Sequence, residues 1–136
     1  MGYDGSKAGD KALEYAIGLA KAFNAKLYIL HVIEKGRIAI IPELTLYPSL
    51  IETLEKYGRD LLNKALEKAR SYGVETETLL EVGVDAADVI INVANRLNVD
   101  IIVVGSRGLK GLTKFLLGSV SEKVVRYANK PVLVVH

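Results

Sequence analysis

The 136-residue sequence contains no cysteine. That absence excludes a disulfide framework, a thiolate metal site and a cysteine nucleophile. No apolar run approaches the roughly 20 residues that a membrane-spanning helix needs, and the first residues lack the charged and then apolar pattern of a secretory signal. We therefore expect a cytoplasmic protein that does not cross a membrane. A formal net charge of only +2 indicates no particular partner by itself.

What the chain does have is enough apolar sequence for one full core. Half of the residues are hydrophobic and a quarter are charged. Chains of this length rarely divide in two, so residues 1–136 are predicted to form a single folded domain.

Helical and strand patterns alternate along the whole chain. Ser6 can cap a first helix that ends near Asn24, and further helices are predicted after the capping box at Ser49, after Asp85, and over Ser121 to Ala128. The strands are nearly continuous apolar runs: Leu27 to Ile33, Val74 to Val82, Asp100 to Val104 and Pro131 to Val135. Such runs suit strands covered on both faces, so the order predicts a parallel α/β sheet with helices on both sides. Residues 34–48, with two prolines and no clear period, are predicted to be a loop.

Positive charge and glycine are both concentrated between residues 105 and 130. Six basic residues stand against one acidic residue there, a local net charge of +5, which leaves 12 basic and 15 acidic residues elsewhere. The basic residues are Arg107, Lys110, Lys114, Lys123, Arg126 and Lys130. Four of the 12 glycines fall within 14 residues of this segment: Gly105, Gly108, Gly111 and Gly118. This part of the chain is therefore expected to bind an anion.

The glycine segment also stands where α/β sheets bind ligands, beyond the carboxyl ends of the strands. It begins at Gly105, after the strand that ends at Val104, and runs to Ser121, where a helix is predicted to begin. Glycine lets the backbone approach a phosphate, and a helix N-terminus presents free N–H donors and partial positive charge. Ser119 and Ser121 add hydroxyl groups. Each residue alone is typical of a turn or a helix cap, but together they favour an anion site.

Other nucleotide and nucleic-acid signatures fit this segment poorly. The sequence contains neither GxxxxGK[ST] nor GxGxxG. Gly105 to Gly108 and Gly108 to Gly111 match the GxxG spacing of KH RNA-binding domains, but that loop joins two helices, whereas this one follows a strand. RNA binding is therefore the weaker alternative.

The spacing from Gly105 through Gly108 to Gly118 and Ser119, with Asp4-Gly5-Ser6 near the start, resembles the ATP-binding subgroup of the universal stress protein family. Matching stretches at 30–32 (LHV), 100–108 (DIIVVGSRG) and 130–135 (KPVLVV) extend the resemblance over nearly the whole chain. The resemblance implies a three-layer, doubly wound, five-stranded parallel sheet in the order 3-2-1-4-5, of the adenine nucleotide alpha hydrolase-like kind. It also implies a homodimer through the last strand, Pro131 to His136, which is apolar on both faces.

The same resemblance implies an adenine-nucleotide site at nine positions: Asp4, Val32, Gly105, Arg107, Gly108, Gly118, Ser119, Val120 and Ser121. The ribose or adenine would lie beside Asp4, and the backbone of Val32 would line the adenine pocket. The first two glycines of the segment would approach the ribose and phosphates. Residues 118–121 would hold the phosphate chain, with Arg107 adding charge at the rim. ATP would bring Mg²⁺ or Mn²⁺ on its phosphates, because no cluster of histidines and carboxylates has the spacing of a metal site.

One departure from the family pattern concerns the first strand. Only Met1, Gly2 and Tyr3 precede Asp4, where the family has several apolar residues. Unpaired backbone groups at the centre of a sheet cost about 1 to 3 kcal/mol each. Residues 1–4 are therefore predicted to be a stub of that strand, or else natural residues upstream are absent from this sequence.

Three functions stay open at this level. The first is a stress-response regulator that binds ATP as a switch and is read by an unidentified downstream protein. The second is a slow ATPase, for which the sequence offers little, because His31 lies in an apolar run typical of a structural histidine and no serine sits in a nucleophile elbow. The third is a homodimeric scaffold that binds no nucleotide.

Overall fold

The computed structural model describes residues 1–36, 48–107 and 117–136. The helices are α1 (Lys7–Phe23), α2 (Pro48–Ser71), α3 (Ala86–Arg96) and α4 (Ser119–Tyr127). The strands are β1 (Leu27–Glu34), β2 (Thr76–Gly83), β3 (Ile102–Gly105) and β4 (Val132–Val135). This is the predicted alternation of helix and strand. Residues 37–47 of the predicted loop lie outside the described part of the chain.

Capping side chains account for the limits of α1 and α3. The Ser6 hydroxyl accepts a hydrogen bond from the Gly9 N–H at 3.0 Å, and the Asp85 carboxylate accepts one from the Asp88 N–H at 3.1 Å. Asn24 ends α1 in the left-handed conformation, with a φ of 50°. These three boundaries confirm the sequence predictions, because each depends only on residues within one turn.

Two helices begin earlier than predicted. α2 begins at Pro48 rather than after Ser49, since proline suits the first turn of a helix, where its missing N–H would have no partner. α4 begins at Ser119 rather than Ser121, with Gly118 as its N-cap residue. Residues 119–121 are therefore the first turn of a helix.

The strands are parallel, as predicted, but form two pairs: β1 with β2, and β3 with β4. Residues 1–3 lie between the pairs. The Tyr3 N–H donates to the Leu30 carbonyl of β1 at 2.8 Å, and the Gly2 N–H donates to the Val103 carbonyl of β3 at 3.0 Å. Within the described residues this segment makes one isolated bridge, Gly2 with Leu30, and no continuous five-stranded ladder.

Helices cover both faces of the strands. α1 and α2 share a buried cluster with Ile29 and Val103, whereas α3 and α4 share a second cluster with Leu30 and Val104. Neighbouring strand residues thus face opposite layers, as the two-residue period of a strand requires. Among the described residues, none of the helices combines the length and apolar character needed to span a bilayer. The starts of α1, which follows Tyr3, and of α4, which comes after β3, lie at the same edge of the fold. This edge is beyond the carboxyl ends of the strands.

Candidate functional site

The turn from Asp4 to Ser6 forms one side of the candidate site. Gly5 has a φ of +74°, a left-handed conformation that favours glycine, and a Cβ there would lie 2.7 Å from the Leu61 side chain. The Asp4 Oδ1 atom accepts a hydrogen bond from the Ser6 N–H at 3.0 Å. Its Oδ2 atom has no hydrogen-bond partner among the described residues. The turn therefore leaves one carboxylate oxygen of Asp4 available as an acceptor.

The end of β3 packs directly against the start of α1. A Cβ on Gly105 would lie 2.8 Å from the Ala8 carbonyl carbon and 2.9 Å from the Gly9 nitrogen. Nearby, the Ser6 hydroxyl donates to the Arg107 carbonyl at 3.1 Å, across 101 residues of sequence. The structure thus brings together the Asp4 turn and the first residues of the glycine segment, which are far apart in the sequence.

The start of α4 forms the third side of the site. Its N-cap residue, Gly118, has no side chain with which to satisfy the first N–H groups of the helix. The Glu122 N–H is the first to bond back, to the Gly118 carbonyl at 2.9 Å. Within the described part of the chain, the N–H groups of Ser119, Val120 and Ser121 therefore lack acceptors. Three free donors at the positive end of a helix dipole can bind an anion.

A short set of hydrogen bonds fixes α4 to the end of β3. The Ser106 carbonyl accepts the Gly118 N–H at 2.7 Å and the Ser121 hydroxyl at 3.0 Å. The Ser121 oxygen also lies 2.9 Å from the Gly118 carbonyl. Ser121 is buried and its hydroxyl is directed at backbone carbonyls, whereas Ser119 is exposed. Of the two predicted phosphate-binding hydroxyls, only that of Ser119 lies at the surface.

Ser106, which no sequence motif marks as a site residue, carries a buried hydroxyl without a partner. Its side chain is 1% exposed, and its Oγ atom forms no hydrogen bond within the described residues. Leaving a buried hydroxyl unsatisfied costs on the order of 1 to 3 kcal/mol. Ser106 thus holds the start of α4 through its carbonyl, while its hydroxyl has no partner among the described residues.

Most of the described basic residues between 105 and 130 already have side-chain partners. Three described basic residues of the segment already have partners on other elements or on their own helix. They are Lys123 with Asp85 and Asp88, Arg126 with Glu122, and Lys130 with Asn98. Lys130 also precedes β4 and so lies at the opposite end of the strands from Arg107. Lys110 and Lys114 lie outside the described residues, so the expectation that this segment binds an anion stays a prediction. Of the four basic residues that are described, Arg107 follows the end of β3.

Val32 lies on β1, two residues beyond Leu30, which bridges Gly2. Its side chain packs in the cluster under α3 and α4. Gly108 lies outside the described residues. The other eight predicted site residues all lie at the carboxyl edge of the strands.

His31 is held by the backbone of the N-terminal segment. Its Nδ1 atom lies 2.9 Å from the Tyr3 carbonyl, and its ring meets Tyr57 edge-on with 6.4 Å between centroids. A carbonyl only accepts hydrogen bonds, so Nδ1 carries the proton. His31 is therefore hydrogen-bonded, as predicted, but only partly buried; its structural role stays a prediction.

Sequence comparison gives the family. The universal stress protein family matches residues 1–136. Universal stress protein YxiE of Bacillus subtilis (strain 168) is 40% identical, with 97% of this chain and 93% of that protein covered. Universal stress protein MJ0531 of Methanocaldococcus jannaschii is 36% identical, with 97% and 77% covered. The chain belongs to the universal stress protein family.

Solved structures of similar proteins share this α/β fold. Hypothetical protein MJ0577 superposes with a TM-score of 0.87 at 28% identity, over 98% of this chain and 91% of that one. A universal stress protein in complex with cAMP gives 0.71 at 29% identity, over 100% and 93%. The universal stress protein of Archaeoglobus fulgidus in complex with dAMP gives 0.70 at 25% identity, over 98% and 91%. Two of these proteins thus bind adenine nucleotides.

Proposed function

We propose that this protein binds an adenine nucleotide, ATP with Mg²⁺ or Mn²⁺, where the Asp4 turn, the end of β3 and the start of α4 meet. The observation that carries the proposal is the uncapped start of α4, which the Ser106 carbonyl holds beside β3. Two relatives in complex with cAMP and dAMP support an adenine nucleotide as the ligand class.

In this proposal the phosphate chain lies against the first turn of α4. The N–H groups of Ser119, Val120 and Ser121 donate to it, the small Gly118 permits its close approach, and Arg107 adds charge at the rim. Hydrogen bonds to a charged group contribute about 1.5 to 3 kcal/mol each, so three of them supply much of what micromolar affinity requires. The divalent cation is held by the phosphates and neutralises part of their charge.

The nucleoside lies on the other side of the site. A carboxylate repels phosphate but accepts hydrogen bonds from ribose hydroxyls or from the adenine amino group, which places Asp4 at this end. The backbone of Val32 lines the adenine pocket. Gly105, and Gly108 outside the described residues, are the positions at which the backbone approaches the ribose and phosphates. In addition, a side chain at Gly105 would clash with the backbone of Ala8.

The proposal extends to the assembly. Residues 1–3 act as a short central strand that joins the two pairs in the order 3-2-1-4-5. The Pro131 carbonyl accepts a hydrogen bond from the Ile102 N–H of β3, and the Val135 carbonyl accepts one from Ser106, directly after β3. The backbone groups of Val132 and Val134 therefore point to the other edge of β4, which is unpaired within the described residues. A second copy pairs along this edge, through Pro131 to His136, to form a homodimer. Bound nucleotide sets the state of this dimer, and a downstream protein reads it in the stress response; the cytoplasmic location stays a prediction.

Calorimetric titration of variants with MgATP tests the placement of the site. Ser119→Ala and Gly118→Ala are each expected to weaken ATP binding about threefold to tenfold, because the first removes the exposed hydroxyl at the start of α4 and the second adds a methyl group where the phosphate approaches. Ser71→Ala is the matched control, because it removes a serine hydroxyl at the end of α2 that donates to the Lys68 carbonyl. Variants at residues 118 and 119 that bind ATP as tightly as the wild type would place the nucleotide elsewhere.

A further inference from the structure

The hydroxyl of Ser6 connects the two halves of the candidate site. It accepts a hydrogen bond from the Gly9 N–H at 3.0 Å and donates one to the Arg107 carbonyl at 3.1 Å. The residue is buried, with 7% of its surface exposed. Both hydrogen-bonding functions of the hydroxyl are therefore used, one within α1 and one across to the end of β3.

The bond to Arg107 has a counterpart one residue earlier. The Ser106 carbonyl is held by the start of α4, through the Gly118 N–H and the Ser121 hydroxyl. Two successive carbonyls are thus fixed, one from α4 and one from α1. In a trans peptide the carbonyl and the following N–H point in opposite directions, so the held Ser106 carbonyl sets the direction of the Arg107 N–H. That N–H has no acceptor among the described residues.

We infer that Ser6 is a positioning residue for the phosphate end of the nucleotide site. By holding the Arg107 carbonyl it fixes the backbone from which the free Arg107 N–H and the guanidinium group extend, relative to the start of α4. Ser6 acts through Arg107 and contacts no ligand in this role. The inference rests on the proposed function and gives Ser6 a task beyond capping α1.

The test removes the bond to Arg107 while keeping the cost of the weakened α1 cap small. Ser6→Gly removes the hydroxyl but keeps a residue that is tolerated as an N-cap, and Ser6→Thr keeps both the cap and the donor. Thr76→Val is the matched control, because the buried Thr76 hydroxyl donates to the Val74 carbonyl at 3.0 Å at the opposite end of the strands. Dissociation constants are measured for MgATP by calorimetry and for adenosine by NMR titration.

Ser6→Gly is expected to weaken ATP binding about threefold to tenfold and to leave adenosine binding unchanged, while Ser6→Thr and Thr76→Val bind both like the wild type. An equal loss for ATP and adenosine in Ser6→Gly, or an equal loss in Thr76→Val, would mean a merely structural role and would overturn the inference. So would Ser6→Gly that binds ATP normally, and in that case the proposed function stands. A wild-type protein that binds neither ligand would instead overturn the proposed function itself.

Discussion

A Cβ placed on Gly105 would lie 2.8 Å from the carbonyl carbon of Ala8, because the end of β3 packs directly on the backbone of α1. The contact involves backbone atoms, so no side-chain rotation can relieve it. Glycine at this position is therefore required by packing, before any ligand binds. The end of β3 and the start of α1, which form two sides of the candidate site, are therefore held in contact by backbone packing.

Gly105→Ala is accordingly expected to lower the free energy of unfolding by about 1 to 3 kcal/mol, as overpacking does. Urea denaturation measures the change. Gly18→Ala is the control, because Gly18 lies on the exposed face of α1 and a Cβ there would have nothing within 4 Å, so alanine should stabilise by about 0.5 to 1 kcal/mol. Equal stability of Gly105→Ala and the wild type would contradict the close packing of β3 on α1.

Ser106→Ala is expected to leave stability unchanged or to raise it by about 1 kcal/mol, because it removes a buried hydroxyl that has no hydrogen-bond partner among the described residues. Ser121→Ala is the contrasting variant. Its hydroxyl donates to the Ser106 carbonyl, so its loss should cost about 1 kcal/mol. Both are read from urea denaturation without nucleotide. A loss of stability in Ser106→Ala as large as that in Ser121→Ala would show that the Ser106 hydroxyl does have a partner.

The titration of Tyr3 makes the free energy of unfolding depend on pH in the alkaline range. Burial raises the pKa of its phenol above the usual value near 10, and the hydrogen bond to Asp10 at 2.6 Å, with the negative charges of Asp10 and Asp4, raises it further. Because the pKa is higher in the folded state, the stabilisation is fully present below about pH 10 and is lost as the pH rises above that value. The stability difference between the wild type and Tyr3→Phe should therefore be constant near neutral pH and shrink above about pH 10. Urea denaturation across this range that shows a constant difference would contradict the account of Tyr3.

The edge of β4 proposed for dimer formation can be blocked without breaking the β3–β4 pair. Val134 directs its N–H to the open edge, so Val134→Pro removes a donor that β3 does not use. Val134→Ala is the matched control, since it shortens the same side chain but keeps the N–H. At high micromolar concentration, light scattering should find a dimer for the wild type and Val134→Ala, and a monomer for Val134→Pro. A monomeric wild type would contradict the proposed homodimer.

The local elements of this fold are largely predictable from the sequence. Ser6, Asn24 and Asp85 mark helix ends because their side chains or conformations act within one turn. The apolar runs predict the strands because a strand buried on both faces has few positions for polar side chains. The predicted starts of two helices were wrong by only one or two residues, since α2 begins at Pro48 and α4 at Ser119.

The arrangement of the site is less predictable, because it depends on contacts between distant residues. No local pattern signals that Ser6 binds the Arg107 carbonyl, or that the Ser121 hydroxyl turns inward to Ser106. The count of basic residues likewise does not show that Lys123 is already paired with Asp85 and Asp88 at the start of α3. A count of charged residues along the sequence does not show which of them lie close together in the folded protein.

The most direct test of the central claim is a calorimetric titration of the wild-type protein with MgATP. The account predicts saturable binding of one nucleotide per chain, with a dissociation constant on the order of micromolar. The absence of binding heat, together with no thermal stabilisation at millimolar MgATP, would contradict it.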